Sequence, residues 1–236
     1  MARKINPAEH AVKRKEILAV AQRLVYTKGY EQMSIQELLA ELQISKGAFY
    51  HYFDSKQALL EALIEHMREE GLGILLAILR EPGISALDKL QRFFDSSARW
   101  KTNHKDFIVA LMHVWYADDN AIVRQKVQAN LIEHATPALA ELIHEGIAEG
   151  VLDTPFPEQA SEVVLTLLQG IGEALGRVLL ASPSGDAQAR ADQLVAAYEH
   201  ALERVLGLPA GSLSLVDSAT LAEWFAAQRA YEARKQ

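Results

Sequence analysis

The chain of 236 residues reads as all-α. A three-helix unit over residues 1–54 precedes a larger helical bundle over residues 55–236, which closes with a C-terminal helical extension. Three observations predict this. Apolar residues recur at three- and four-residue intervals through most of the chain, with no alternating run that would make a strand. Capping residues, glycines and prolines stand where these periodic stretches break. The charge is also divided. Up to Lys56, nine Lys and Arg face six Asp and Glu, in a chain whose net charge is −7. A basic end on an acidic body is the footprint of one nucleic-acid-binding module.

The first helix is expected from Ala8 to Thr27, with Val12, Ile17, Leu18, Ala21, Leu24 and Val25 on its apolar side. Gly29 ends it and Tyr30 tucks back. Ser34 and Glu37 then form a capping box, closed over by a staple of Met33 on Leu38. Ile35, Leu38, Leu39 and Leu42 give the second helix its inward stripe. Gln43 and Ile44 make a tight joint, and Ser45 caps the third helix. Phe49 and Phe53, one turn apart, face inward. Lys46, Gly47, Tyr50 and His51 are thereby left outward, with Ala48 and Tyr52 at the flanks. A helix that reads DNA needs such a face: small residues allow close approach, and amines and hydroxyls reach bases and phosphates.

Asp54 or Ser55 caps the next helix, which runs to the residues before Pro82 and carries Leu59, Leu60, Leu63, Ile64 and Met67 inward. Gly71 and Gly73 weaken it by about 1 kcal/mol each relative to alanine. They mark either a close helix crossing or a flexure between the two units. Residues 86–102 follow, with Leu87, Leu90, Phe94 and Ala98 on one stripe and Phe93 and Trp100 on another. Residues 105–116 are apolar nearly all round, which places that helix centrally. Residues 121–149 contain Pro137, which must kink the helix or split it. Two long helices come next, 158–180 and 187–206, separated by Ser182–Gly185. A last helix starts near Asp217 with a stripe of Leu221, Trp224, Phe225, Gln228 and Tyr231, packing on its own body or across a dimer.

Several classes are disfavoured. The chain has no cysteine, which removes disulfides and thiolate metal sites and suits a reducing cytoplasm. No apolar run is read as reaching membrane-spanning length, and the N-terminus lacks a signal-peptide core. Of eight histidines, none stands in an HExxH pair or another close ligand set, so no metal and no cofactor are expected. No serine occupies a nucleophile elbow and no glycine run has phosphate-loop spacing, so nothing supports an enzyme.

The residues after Ser45 say more than their spacing. Gly47, Tyr50, Phe53, Lys56 and Leu59 recur every three residues in a segment that closely resembles the signature of the TetR family of bacterial transcriptional regulators. The resemblance covers about the first quarter of the chain. It departs at Gln43, where the family usually has a small residue, and at Leu39, where alanine is common. It implies a helix-turn-helix DNA-binding domain with Gln36, Ser45, Lys46, Gly47, Ala48, Tyr50, His51, Tyr52 and Lys56 at the DNA. Arg3 and Lys4 would lie along phosphates.

The resemblance also implies a small-molecule pocket among the body helices and a four-helix dimer interface made by the last two of them. Phe93, Trp100, Phe107, His113, Trp115 and Tyr116 are the candidates for a mostly apolar effector. For the interface the candidates are Val164, Leu168, Ile171 and Leu175 on one helix and Leu194, Tyr198 and Leu202 on the next. Gly172 and Gly176 form a flat strip beside them. One body cannot bury all these faces, so a homodimer is expected. The expected function is a ligand-responsive regulator, a repressor released from a palindromic double-stranded operator by its effector, with no membrane partner. The alternative is a helical interaction protein whose N-terminal hairpin binds protein rather than DNA.

Overall fold

The computed structural model describes residues 7–79, 81–116, 120–181 and 186–235. Arg3, Lys4 and the Ser182–Gly185 separator lie outside the described residues. Helices make up the fold: α1 Pro7–Lys28, α2 Ile35–Leu42, α3 Lys46–Tyr50, α4 Lys56–Leu79, α5 Ala86–Asn103, α6 Lys105–Trp115, α7 Ala121–Ala148, α8 Pro157–Leu180, α9 Ala187–Leu206 and α10 Ser218–Lys235. Among the described residues there is no strand.

The helix starts follow from local chemistry. The Ser34 hydroxyl accepts from the Glu37 amide, and the Glu37 carboxylate accepts from the Ser34 amide. Ser45 and Ser55 likewise accept from the amides of Ala48 and Ala58. Of the two residues proposed to cap α4, Ser55 makes this bond. Asp217 caps α10 by accepting from the Thr220 amide at 2.6 Å. Pro137 sits inside α7 without splitting it.

Three corrections concern packing. Val12 is 68% exposed. At about 100° per residue it falls on the far side of α1 from Ile17, Leu18, Ala21, Leu24 and Val25, which are buried. Gly71 and Gly73 have open space where a Cβ would stand, so no neighbouring helix crosses closely there. One helix, α8, is as long and apolar as a membrane span. Its place explains the composition, because it packs against α7 on one side and α9 on the other.

The first core runs without a break across residue 54. It joins Ile17, Leu18, Val25, Phe49 and Phe53 to Leu59 and Leu60 of α4, to Phe107, Val109 and Leu111 of α6, and to Ala227 and Tyr231 of α10. A second core gathers Leu90, Phe94, Leu142, Ile143, Val164, Leu202 and Leu206 from α5, α7, α8 and α9. A third, smaller one lies under the C-terminal extension, where Ile171, Val178, Ala191 and Val195 pack with Leu221.

The extension packs on its own body. The buried Glu203 carboxylate accepts from the Leu213 amide, and Gln91 exchanges two hydrogen bonds with the Ser214 backbone. Glu199 then accepts from the Leu215 amide at 2.7 Å. These bonds satisfy the backbone of a connector that would otherwise need water. They deliver α10 onto α9, α8 and α6.

Candidate nucleic-acid interface

The joint between α2 and α3 is held by its ends. Gln43 takes φ 52° and ψ 40°, the left-handed conformation, and its amide reaches back to Ala40 and Leu39. This is the position at which the sequence departs from a small residue, and the backbone does adopt the conformation that favours one. The turn aims α3 across α2. Phe49 is completely buried and Phe53 nearly so, with their ring centroids 5.9 Å apart. These two aromatics fix which side of α3 faces out.

That outer side carries Ser45, Lys46, Gly47 and Tyr50, all exposed, with Ala48 partly exposed beside them. The Lys46 ammonium lies 5.9 Å from the Tyr50 ring centroid, a loose cation–π contact. A Cβ on Gly47 would meet only the Ser45 hydroxyl oxygen, at 3.9 Å. Gln36 is exposed one turn into α2.

At the end of α3 the structure adds a residue that the sequence reading missed. His10 of α1 stacks on Tyr52 at 4.6 Å and meets the exposed His51 edge-on at 5.9 Å. Tyr52 is thereby half-buried. The only signal for His10 was its place two residues inside the first helix, which does not say which ring it meets.

Lys56 is the most constrained member of the set. Its ammonium donates to the Glu31 carbonyl at 3.1 Å and stands over the Tyr30 ring at 4.4 Å. Partial burial lowers its pKa, with Glu31 opposing the shift. Burial, helped by Glu31 and Glu61, pushes the Tyr30 hydroxyl up to about 12. Lys56 therefore ties the start of α4 to the connector between α1 and α2 as well as presenting charge. At the acidic end of the box, Lys28 and Glu37 pair.

Residues 17–63 match the family model for bacterial regulatory proteins, tetR family. Over these residues the chain is similar to the DNA-binding domain of the TetR family. It is 31% identical over 145 residues to the HTH-type transcriptional regulator YerO of Bacillus subtilis, aligning 60% of this chain with 50% of that protein. A second B. subtilis HTH-type regulator, YuxN, is 36% identical over 96 residues, 41% of this chain and 33% of YuxN. The chain thus spans between a third and a half of these two relatives. With the HTH-type transcriptional regulator EthR of Mycolicibacterium smegmatis the identity is 28% over 177 residues, covering 66% of this chain and 82% of EthR. A TetR-family transcriptional regulator from Pectobacterium atrosepticum has the same fold, with a TM-score of 0.65 at 23% identity over 87% of this chain and 100% of that one.

The six effector candidates are dispersed. Phe107 belongs to the first core, while Phe93 packs against the second. Trp100 lies against His104, with ring centroids 4.6 Å apart. His113 stacks on Tyr231 and pairs with Glu232 at 3.1 Å. Tyr116 lies across α8, where its hydroxyl is 3.4 Å from the Gly172 carbonyl. The Trp115 carbonyl accepts from Arg124. An open groove between α1 and the α5–α6 corner is lined by Gln22, Tyr26, His104, Asp106 and Phe107, among others. Of the six candidates only Phe107 borders it.

The interface candidates divide as well. Val164, Ile171 and Leu202 are buried in the chain's own cores, which leaves them no surface for a partner. Leu168, Leu175, Leu194 and Tyr198 are partly exposed. Gly176 is filled by the Tyr116 ring and Gly170 by the Tyr198 ring, which is packing within the chain, whereas a Cβ on Gly172 would meet nothing within 4 Å among the described residues. The solvent side of the pair instead shows Val163, 44% exposed, on α8 and Ala189, Ala196 and Ala197 on α9. The spacing of those alanines was the available signal, hidden because alanine reads equally well as core or surface.

Proposed function

We propose that this protein is a DNA-binding transcriptional regulator that reads a near-palindromic operator as a homodimer, with α3 of each protomer in a major groove. The observation that carries the reading is the outer side of α3. It is rigidly aimed by Phe49 and Phe53, bears Lys46 and Tyr50, and leaves space at Gly47 that no part of the chain uses. Lys46 approaches base edges, where a lysine facing guanine contributes about 1–3 kcal/mol of discrimination. Gly47 and Ala48 let the helix sit deep. Gln36, Ser45, Tyr50, His51 and Tyr52 hold phosphate and sugar. Lys56, at the start of α4, adds charge near free helix amides.

The dimer forms through α8 and α9, and the exposed Val163, Ala196 and Ala197, with the partly exposed Leu168, supply small and apolar surface for it. It is a cytoplasmic protein and a repressor, released from DNA by a small, mostly apolar effector held in the body. Such a molecule acts only by preferring one of two body conformations.

Operator sites selected from a random DNA pool, followed by binding isotherms on single-base variants, test the reading. Lys46→Ala is expected to relax preference at one symmetric pair of positions. Lys56→Ala is expected to weaken all sequences alike and to lower the salt slope by about one unit per half-site. Failure to bind heparin or any DNA, with capture of a protein by the N-terminal hairpin, would support the interaction-protein reading instead. A monomeric mass by light scattering would remove the dimer.

A further inference from the structure

The helix that follows the body, α10, touches both parts of the molecule. Its first half lies on the third core through Leu221 and Phe225. Its second half enters the first core, where Ala227 and Tyr231 are each 6% exposed among side chains of α1, α4 and α6. The Tyr231 hydroxyl sits over Gly29, the residue that ends α1 with φ +83°, and would stand 3.1 Å from a Cβ placed there. One turn on, the Arg234 guanidinium lies 5.9 Å from the Tyr26 ring of α1. The body side of the same helix is held by Lys105–Glu223 at 3.3 Å and His113–Glu232 at 3.1 Å, both to α6.

The N-terminal unit has other attachments to the body. It is continuous with α4, where a Cβ at Gly71 or Gly73 would meet nothing within 4 Å among the described residues while Leu72 between them packs on the second core. It packs on α6 through α1, and Gln57 of α4 bonds to Asn120, which in turn holds the Val114 carbonyl. The contacts of α10 add a further point of attachment, at the end of α1.

We propose that α10 is a strap that fixes the orientation of the N-terminal unit on the body, and so sets the separation of the two reading heads in a dimer. This rests on the DNA-reading function proposed above. Once one head is bound, the second finds its half-site at an effective concentration that depends on how closely its position is restricted. The strap raises that concentration for one half-site spacing and lowers it for the others. It contributes nothing to the affinity of one head for one half-site.

Tyr231→Ala in the full chain is the main test, read on the selected operator, on the same operator with one or two base pairs added between half-sites, and on a single half-site. The expected result is a fall of about tenfold on the full operator, a flatter dependence on spacing, and less than about a twofold change on the half-site. An equal fall on the full operator and half-site, or no change on either, overturns the proposal. A second measurement needs no DNA. The chain lacks cysteine, so Ala11→Cys carries a single nitroxide on the exposed side of α1, and electron spin resonance gives the distance between the two protomers. The distribution is expected to be narrow in the parent and broad in Tyr231→Ala. Glu232→Ala/Arg234→Ala, which leaves the buried side chains in place, is expected to broaden it too; this variant decides if Tyr231→Ala does not fold. An unchanged distribution in the folded variant overturns the strap. A parent that binds no DNA but whose distances broaden on mutation overturns the DNA reading and leaves the strap standing.

Discussion

A methyl group added at Gly47 of α3 would meet one hydroxyl oxygen at 3.9 Å, whereas one added at Gly176 of α8 would lie 2.5–2.8 Å from the Tyr116 hydroxyl and ring. Both glycines are helical, and glycine is the least favourable ordinary residue in a helix. At Gly176 the chain's own packing accounts for it, since the Tyr116 ring occupies the space of a side chain. At Gly47 nothing within the chain does. The body is shaped by what packs inside it, while the outer side of α3 is left open by the packing of the unit that carries it. Gly71, Gly73 and Gly172 are open too, and what sets Gly47 apart is the cation and hydroxyls of Lys46, Ser45 and Tyr50 around it, which suit the DNA groove proposed above.

The largest effect bearing on this contrast is expected at the inner side of α3. Phe49→Ala removes a fully buried ring and should destabilise the N-terminal unit by about 3–5 kcal/mol, measured by denaturant unfolding. A small loss would mean that α3 is not anchored from within, and the open face would lose its significance.

The glycine pair comes next. Gly176→Ala forces Tyr116 aside and should cost about 1–3 kcal/mol of stability, recovered in part when combined with Tyr116→Leu. Gly47→Ala should instead leave stability unchanged or raise it by up to about 1 kcal/mol, while operator affinity falls. Thermal melting of the three variants, with binding isotherms for Gly47→Ala, gives the answer. If Gly47→Ala retains full affinity, or if Gly176→Ala is neutral, the two glycines are not different in kind.

A smaller gain is expected at the joint. Gln43→Gly relieves a left-handed side chain and should stabilise by about 1 kcal/mol in a melting curve. It sharpens the comparison by separating strain in the backbone of the reading unit from strain in its packing.

The smallest effect is electrostatic. Hydrogen bonding to Lys28 and to the Ser34 backbone lowers the pKa of Glu37 below its ordinary 4.5. A carboxyl group depressed in the folded state contributes stability above its unfolded value and loses it as pH falls through the folded one. The melting temperatures of the parent and of Glu37→Gln should therefore differ slightly at neutral pH and converge as pH falls through the lowered folded value. A difference that persists in acid would assign the effect to something other than the carboxylate.

What could be read from the chain was what near neighbours decide. The capping box of Ser34 and Glu37, the caps at Ser45 and at Asp54 or Ser55, and the inward pairing of Phe49 with Phe53 all involve residues three or four apart, where a helix leaves little choice of partner. The same locality made the signature from Gly47 to Leu59 legible, and with it the family. What could not be read was which surface meets each apolar stripe. Val12 follows the composition of a buried face and lies in solvent, because periodicity gives the spacing of a stripe but not its phase against a core. Val164, Ile171 and Leu202 belong to the stripes expected to meet a second protomer, yet α7 and α10 of the same chain had already covered them. Nor could the sequence tell that Tyr116 would fill Gly176, or that Tyr231 would reach back to Gly29 at the end of the first helix. Those contacts join residues far apart in the chain, and only the packing of whole helices brings them together.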